Sequence, residues 1–321
     1  MQKSDLRIVF LGTPEFAASS LDALVSGGYN IVAVVTMPDK LAGRGHKIIT
    51  SPVKDYAVAH NLPVLQPEKL KDETFVEQLR SFRADLQIVV AFRMLPEVVW
   101  TMPRLGTFNL HGSLLPQYRG AAPINWAIIN GEQETGVTTF FLKHEIDTGN
   151  IILQERTDIG DDETFGEVYD RLMNIGARLV TQTVDMIING TVTETVQDNI
   201  DPSSLKPAPK IFKDTCRIDF SKSAKEIHNF VRGLAPVPCA WTDLCIKGTK
   251  YEACKIFAVK PITSEGENPK AKDEGSYNVP IAEVTKNSLR VPCADGCVEI
   301  LEMQLPGKKR LPIRDILNGL R

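Results

Sequence analysis

Phe108-Asn109-Leu110-His111-Gly112-Ser113-Leu114-Leu115-Pro116-Gln117-Tyr118-Arg119-Gly120 is the stretch around which the rest of this 321-residue chain is organised. It begins as a strand. Strand side chains alternate between faces, so Phe108 and Leu110 share one face, and Asn109 and His111 share the other. Gly112 breaks the strand, and a polar loop punctuated by Pro116 follows. An amide beside an imidazole at the end of a buried strand suits chemistry at a carbonyl. The imidazole can take and return a proton, and the amide N–H can hold a developing oxyanion. An isolated Asn-x-His also describes a satisfied strand-end histidine next to a turn former, so the flanking sequence has to decide.

On the N-terminal side, residues 86–92 are an apolar, β-rich run. Residues 94–96 turn the chain into a short helix at 97–101. On the C-terminal side, 121–129 read as a helix, 135–142 and 151–157 as strands, and 165–188 carry helical periodicity. Further out, 6–11 is a short apolar run ended by Gly12. Residues 15–26 follow with apolar positions at helical spacing, Thr13 as the expected N-cap and Pro14 at the first helical position. A second strand at 30–36 completes a βαβ unit, which requires a parallel sheet. One glycine after the first strand falls short of Gly-x-Gly-x-x-Gly, so a dinucleotide site is weakly supported. Helices are expected at 53–60 and 72–82, and a short strand at 64–66.

The connection from Pro38 to Pro52 carries Lys40, Arg44, His46 and Lys47. It is far longer than the roughly 2–6 residues usual in a compact sheet. Such a loop is either a solvated surface or a set of cations offered to a phosphate backbone. Beyond residue 200 the composition changes. Residues 201–210 are proline-rich and polar, as a linker is. A helix at 224–233 precedes short strands at 240–246, 255–259, 281–284, 289–292 and 298–304, a spacing that suggests a small barrel. A polar loop occupies 266–275. The basic segment containing Lys308, Lys309 and Arg310 lies beside the last strand.

Composition sets the outer limits. Apolar residues make up 43% and charged residues 24%, as in ordinary globular domains. No apolar run approaches the roughly 20 residues of a membrane helix. Met1 leads straight into a strand without a signal-peptide core, which points to the cytoplasm. All six cysteines fall between 216 and 297. Cys293-x3-Cys297 is at most half a metal site, and no CxxC pair or histidine at ligand spacing completes it, so reduced thiols and no metal are expected. The net charge of −3 conceals an asymmetry. Residues 206–321 hold 20 Lys+Arg against 14 Asp+Glu, a net of +6, and residues 1–205 hold 17 against 26, a net of −9.

Asn109-x-His111-Gly112-Ser113-Leu114-Leu115-Pro116-x-Tyr118-Arg119-Gly120, continued by Ala121-Ala122-Pro123-Ile124, resembles the central signature of the formyltransferase family that uses 10-formyltetrahydrofolate. Ile146-Asp147-Thr148-Gly149 resembles its third element. The resemblance implies a catalytic trio of Asn109, His111 and Asp147. The amide would hold the formyl oxygen, the imidazole would act as acid and base, and the carboxylate would fix the imidazole's tautomer and help pass a proton through water. It further implies that Ser113, Leu114, Leu115, Pro116, Met94 and Leu95 line the folate site, with Arg119 as a nearby polar anchor. The implied fold is α/β: a Rossmann-like, mostly parallel sheet over 1–200, a linker at 201–212, and an oligonucleotide-binding-type barrel over 213–321.

Ala42-Gly43-Arg44-Gly45 is similar to a loop in the branch of the family that acts on methionyl-tRNA. That likeness implies initiator methionyl-tRNA as the partner in translation initiation, met by Arg44, Lys47, Lys308, Lys309 and Arg310. Tetrahydrofolate is the other implied partner, and the expected state is a cytoplasmic monomer without metal. The chain departs from the family pattern at Arg93 and over Phe140, Phe141, His144 and Glu145, and His144 adds a second titratable group near the site. A sugar-nucleotide formyltransferase acting on a UDP-amino sugar, and a non-catalytic tRNA-binding protein, remain the alternative readings.

Overall fold

The computed structural model describes residues 2–42, 47–197, 201–263 and 280–320. They form two compact units. The first comprises Met1–Pro123, Thr135–Thr157 and Tyr169–Pro207; the second comprises Ile124–Glu134, Asp158–Val168 and Ala208–Arg321.

The chain runs through β1 (Arg7–Gly12), α1 (Glu15–Ser26), β2 (Asn30–Val35), β3 (Lys40–Ala42), β4 (Lys47–Ile49), α2 (Pro52–Ala59), β5 (Val64–Leu65), α3 (Glu73–Ser81), β6 (Leu86–Val90), α4 (Glu97–Trp100), β7 (Thr107–His111), α5 (Pro123–Ile129), β8 (Glu134–Phe141), β9 (Ile151–Asp158) and α6 (Phe165–Asn189). Seven strands form one sheet in the order β5-β2-β1-β6-β7-β8-β9. The ladder is parallel from β5 to β7, and β8 runs antiparallel to β7. This is the Rossmann-like, mostly parallel sheet that the βαβ reading required. The strand order reverses between β1 and β6, so the carboxyl ends of β1, β6 and β7 open side by side, where open α/β sheets hold their ligands.

A parallel sheet is covered on both faces, which is why β6 is buried throughout. Val9, Leu11, Val35 and Val89 pack on one face with Phe75, Val76 and Leu79 of α3 and with Leu95 and Val99. On the other face α6 crosses β7 closely: a Cβ on Gly176 would stand 2.7 Å from Leu110 Cδ2. Asn109 is in register with Val89, so Asn109 and His111 point to the α3–α4 side. Gly12 is demanded by crowding, since a Cβ there would lie 2.6 Å from the Ala17 Cβ.

Two local expectations are corrected. Thr13 does not cap α1. Pro14 is extended at ψ 179° and is itself the N-cap, without a side-chain hydrogen bond, and its carbonyl accepts from Ala17 N and Ala18 N. Thr13 sits one residue too far back, and its buried Oγ1 has no hydrogen-bond partner among the described residues. The basic connection after β2 is not wholly irregular, because Lys40, Leu41 and Ala42 pair with Ile49, Ile48 and Lys47 as a hairpin. Arg44 and His46 lie outside the described residues.

The second unit contains α7 (Ala224–Leu234), β10 (Ala240–Ile246), β11 (Thr249–Thr263), β12 (Glu283–Val284), β13 (Leu289–Cys293), β14 (Gly296–Gln304), β15 (Arg310–Pro312) and α8 (Ile313–Gly319). A capping box between Ser223 and Glu226 starts α7. The sheet order is β10-β11-β14-β13-β12, with β15 beside β14. Cys245 of β10 donates to Pro280 O and accepts from Ala282 N, each at 3.0 Å. The two ends of the strand path are thereby joined, and the sheet curls into an OB-like barrel around Leu244, Ile256, Ile300 and Met303, with α7 packing through Ile227, Val231 and Leu234. β11 is much longer than the expected 255–259. Ala253 takes a left-handed φ of +52° within it, and its register with β10 and β14 shifts, which breaks the alternation a reader follows. The polar loop expected at 266–275 lies outside the described residues. Among the described residues no helix is long and apolar enough to cross a membrane.

Candidate active site

His111 is the last residue of β7 and is buried. Its Nε2 lies 2.9 Å from Tyr118 O. A carbonyl can only accept, so Nε2 carries the proton and Nδ1 presents its lone pair. Nδ1 stands 3.8 Å from Asp147 Oδ2. That is too long for a direct hydrogen bond and suits a bridging water. The tautomer is therefore set by the Tyr118 carbonyl and not by Asp147, which corrects one of the roles expected for the carboxylate. Tyr118 takes φ +61°, and its own N–H donates to Lys206 O at 2.8 Å.

Asp147 comes from the hairpin between β8 and β9 and takes φ +55°. Its Oδ2 accepts from Gly120 N at 2.9 Å, which holds the carboxylate against the signature loop. Asn109 is two residues before His111 on the same face, and its side-chain amide has no hydrogen-bond partner among the described residues. The three residues singled out in the sequence thus meet in one place. Phe140, one of the departures from the family pattern, is fully buried with its ring edge-on to His111, 6.5 Å between centroids. His144 is engaged with α4: its Nε2 lies 3.2 Å from Glu97 Oε1, and its ring meets Trp100.

The loop after His111 is shaped by residues the sequence did not flag. Thr138 is the cross-strand neighbour of His111. Its hydroxyl donates to Ser113 O at 2.7 Å and accepts from Leu115 N at 3.2 Å and Gln154 Nε2 at 3.0 Å. Gln154 Nε2 also donates to Leu115 O. Leu114 packs down where Gly136 leaves room, since a Cβ there would be 2.5 Å from Leu114 Cδ2. Ser113 is fully buried and spends its hydroxyl on Gln117 O, so it shapes the loop from within. Leu115 is buried, and Leu114 and Pro116 are half-buried. Leu95 is buried beside an exposed Met94, and the backbone of neither residue makes a hydrogen bond among the described residues.

A sequence model of the formyl transferase matches residues 6–184, and one of the formyl transferase C-terminal domain matches 210–321. The chain belongs to the formyl transferase family. A methionyl-tRNA formyltransferase of Bacteroides fragilis is 57% identical over 320 residues, covering 99% of this chain and 96% of that one. A methionyl-tRNA formyltransferase of Porphyromonas gingivalis is 50% identical over 321 residues, covering 99% and 97%. The crystal structure of an N-formyltransferase from Helicobacter canadensis, in complex with folinic acid and dTDP-3-aminofucose, shares the fold. It is 21% identical with a TM-score of 0.63, covering 95% of this chain and 100% of that one.

In this formyl transferase the expected basic contacts differ in availability. Lys308 and Lys309 are exposed, and the Lys308 carbonyl accepts from Gln304 Nε2. The Arg310 guanidinium pairs with Glu302 and lies over the Phe257 ring, 4.1 Å from its centroid. Lys47 contributes its backbone to β4, and its side chain lies outside the described residues. Arg119 donates to Gln197 Oε1 at 2.8 Å, a partner that sequence spacing gave no means of finding. Among the described residues no group of three His, Cys, Asp or Glu could hold a metal ion.

Proposed function

We propose that this formyl transferase moves the formyl group of 10-formyltetrahydrofolate to the amino group of initiator methionyl-tRNA. The observation that carries the substrate assignment is the 50–57% identity, over 99% of the chain, to proteins named methionyl-tRNA formyltransferase. The convergence of Asn109, His111 and Asp147 supports the chemistry. Asn109 offers an unpartnered amide to the formyl oxygen as negative charge develops there. His111 Nδ1 receives the proton of the attacking amine through a water held against Asp147, and returns it to the departing folate nitrogen. The amine–formyl bond forms as the formyl–folate bond breaks, so the single proton leaves one nitrogen and ends on the other.

The folate site also fits the residues present. The free backbone groups of Met94 and Leu95 suit the edge of a heteroaromatic ring, and Leu114, Leu115 and Pro116 supply an apolar wall. In this reading residues 1–200 are the catalytic domain, 201–212 the linker and 213–321 the tRNA-binding domain. Arg44, Lys47, Lys308, Lys309 and Arg310 meet tRNA phosphates, and the protein acts as a cytoplasmic monomer. The test is formyl transfer from 10-formyltetrahydrofolate to charged initiator tRNA, alongside free methionine and a UDP-amino sugar, with Arg44→Ala in parallel. Rapid formylation of the charged tRNA alone, weakened in Arg44→Ala, is expected. Transfer to the sugar nucleotide instead would overturn the substrate.

A further inference from the structure

Gln197 is buried, and three of the four hydrogen-bonding positions of its amide, both N–H donors among them, are used within the first unit. Its Oε1 accepts from Arg119 Nη2 at 2.8 Å. Its Nε2 donates to Asp147 O at 3.0 Å and to Gly149 O at 2.6 Å. Arginine can only donate, so the guanidinium fixes which end of the amide faces it. The two hydrogens of Nε2 then face two carbonyls, each of which can only accept.

The hairpin tip that receives these bonds is strained. Asp147 adopts a left-handed φ of +55°, a conformation that favours glycine. Gly149 presses on the strand before it, since a Cβ there would lie 1.5 Å from Phe141 O. Such a conformation persists only where surrounding groups over-determine it. The segment carrying Gln197 is anchored just upstream, where Thr195 and Ile151 exchange two hydrogen bonds of 2.8 Å. Arg119 belongs to the signature loop, one residue before the Gly120 N–H that holds the Asp147 carboxylate. The bonds therefore form a closed circuit: loop 119–120, Gln197, Asp147, and back to the loop.

We infer that Gln197, oriented by Arg119, is a positioning residue that holds Asp147 at its station beside His111. The inference rests on the reading of Asp147 as the proton-handling partner of His111. Gln197 touches no reacting atom. Its effect is transmitted through the backbone of residues 147–149.

A double-mutant cycle tests it, using Gln197→Met, Gln197→Glu, Asp147→Asn and the pair Gln197→Met with Asp147→Asn. Methionine keeps the length of the side chain but cannot donate. Glutamate keeps the shape and the Arg119 contact but turns a carboxylate toward two carbonyls. Misplacing a catalytic group by about 1 Å costs about 100-fold. A kcat loss of roughly 10- to 100-fold is expected for both single Gln197 variants on that basis, with KM for folate and tRNA unchanged. The double variant should be no slower than Asp147→Asn alone, because Gln197 has nothing left to position.

Full kcat in Gln197→Met, or a Gln197 loss that multiplies with the Asp147→Asn loss, would overturn the inference. If Gln197→Met fails to fold, Gln197→Glu with its Arg119 contact intact carries the same kinetic test. An Asp147→Asn enzyme at full rate would instead overturn the role of Asp147 itself, and the inference with it.

Discussion

Thr138→Val removes one oxygen while keeping the shape of the side chain, and the contacts around that oxygen set the cost. Thr138 is fully buried, and its hydroxyl is the partner of Ser113 O and Leu115 N on either side of Leu114. Gln154 Nε2 loses one acceptor but keeps Leu115 O. Two backbone groups are thus orphaned, at about 1–3 kcal/mol each. The expected loss is roughly 2–6 kcal/mol, or roughly 4–24 °C in melting temperature for a unit of this size. The neighbouring Thr139 supplies the control. It is equally buried, but its partner Thr183 keeps a second bond to Leu179 O, so Thr139→Val should cost no more than about 1 kcal/mol. Urea unfolding of both variants by circular dichroism, with formyl-transfer rates beside it, measures the difference. Thr138→Val should also be slow, because the loop it shapes follows directly from His111. A Thr138→Val protein within about 0.5 kcal/mol of the parent, or no weaker than Thr139→Val, would refute the reasoning.

Asn109→Ala should fold normally and lose about 100- to 1000-fold in kcat, as expected for one oxyanion donor; steady-state formylation of charged tRNA measures it, and a parent-like rate would exclude the role. Burial, reinforced by the Arg232 and Lys225 charges, holds His228 below the ordinary histidine range although Asp162 pulls the other way. His228 is therefore neutral in the fold but protonated in the unfolded chain below about pH 6.5, so it withdraws stability as pH falls from there to its folded value. Urea unfolding across that interval should show a falling limb that His228→Gln flattens. Burial pushes the Cys254 thiol up to about 12 and Cys239 up to about 11. Neither should react with a thiol reagent in the native protein at mildly alkaline pH, and both should react in denaturant; mass mapping of the labelled sites reads this out.

The parts of the protein that were legible in its sequence are those encoded locally. Alternation along Phe108–His111 put the amide and the imidazole on one face, and the register with Val89 bears this out. Apolar periodicity gave α1, α3 and α6 to within a residue or two. The rest depends on groups that meet only after folding. Gln197 sits in a polar segment without periodicity and acts on residues 48 and 50 positions away. Thr138 reads as one of several threonines in a β-rich strand, and nothing in its neighbourhood marks it as the hub of another loop. Ser113 was expected at the folate site from the family resemblance alone, and no sequence signal showed that its hydroxyl would be spent on Gln117 O within its own loop. β15 is three residues long, and its pairing with β14 is its only mark as a strand.

The closure of the barrel by Cys245 has a practical consequence. On either side of positions 264–279 the chain is fixed: Thr263 is paired with Gly296, and Pro280 and Ala282 are bonded to Cys245. Each anchor is held by partners that lie outside the interval. Doubling such a connection costs only about 0.6 kcal/mol in closure entropy. An affinity tag or a fluorescent reporter spliced into this interval should therefore leave the barrel assembled, which makes it the natural port for following the enzyme in a cell.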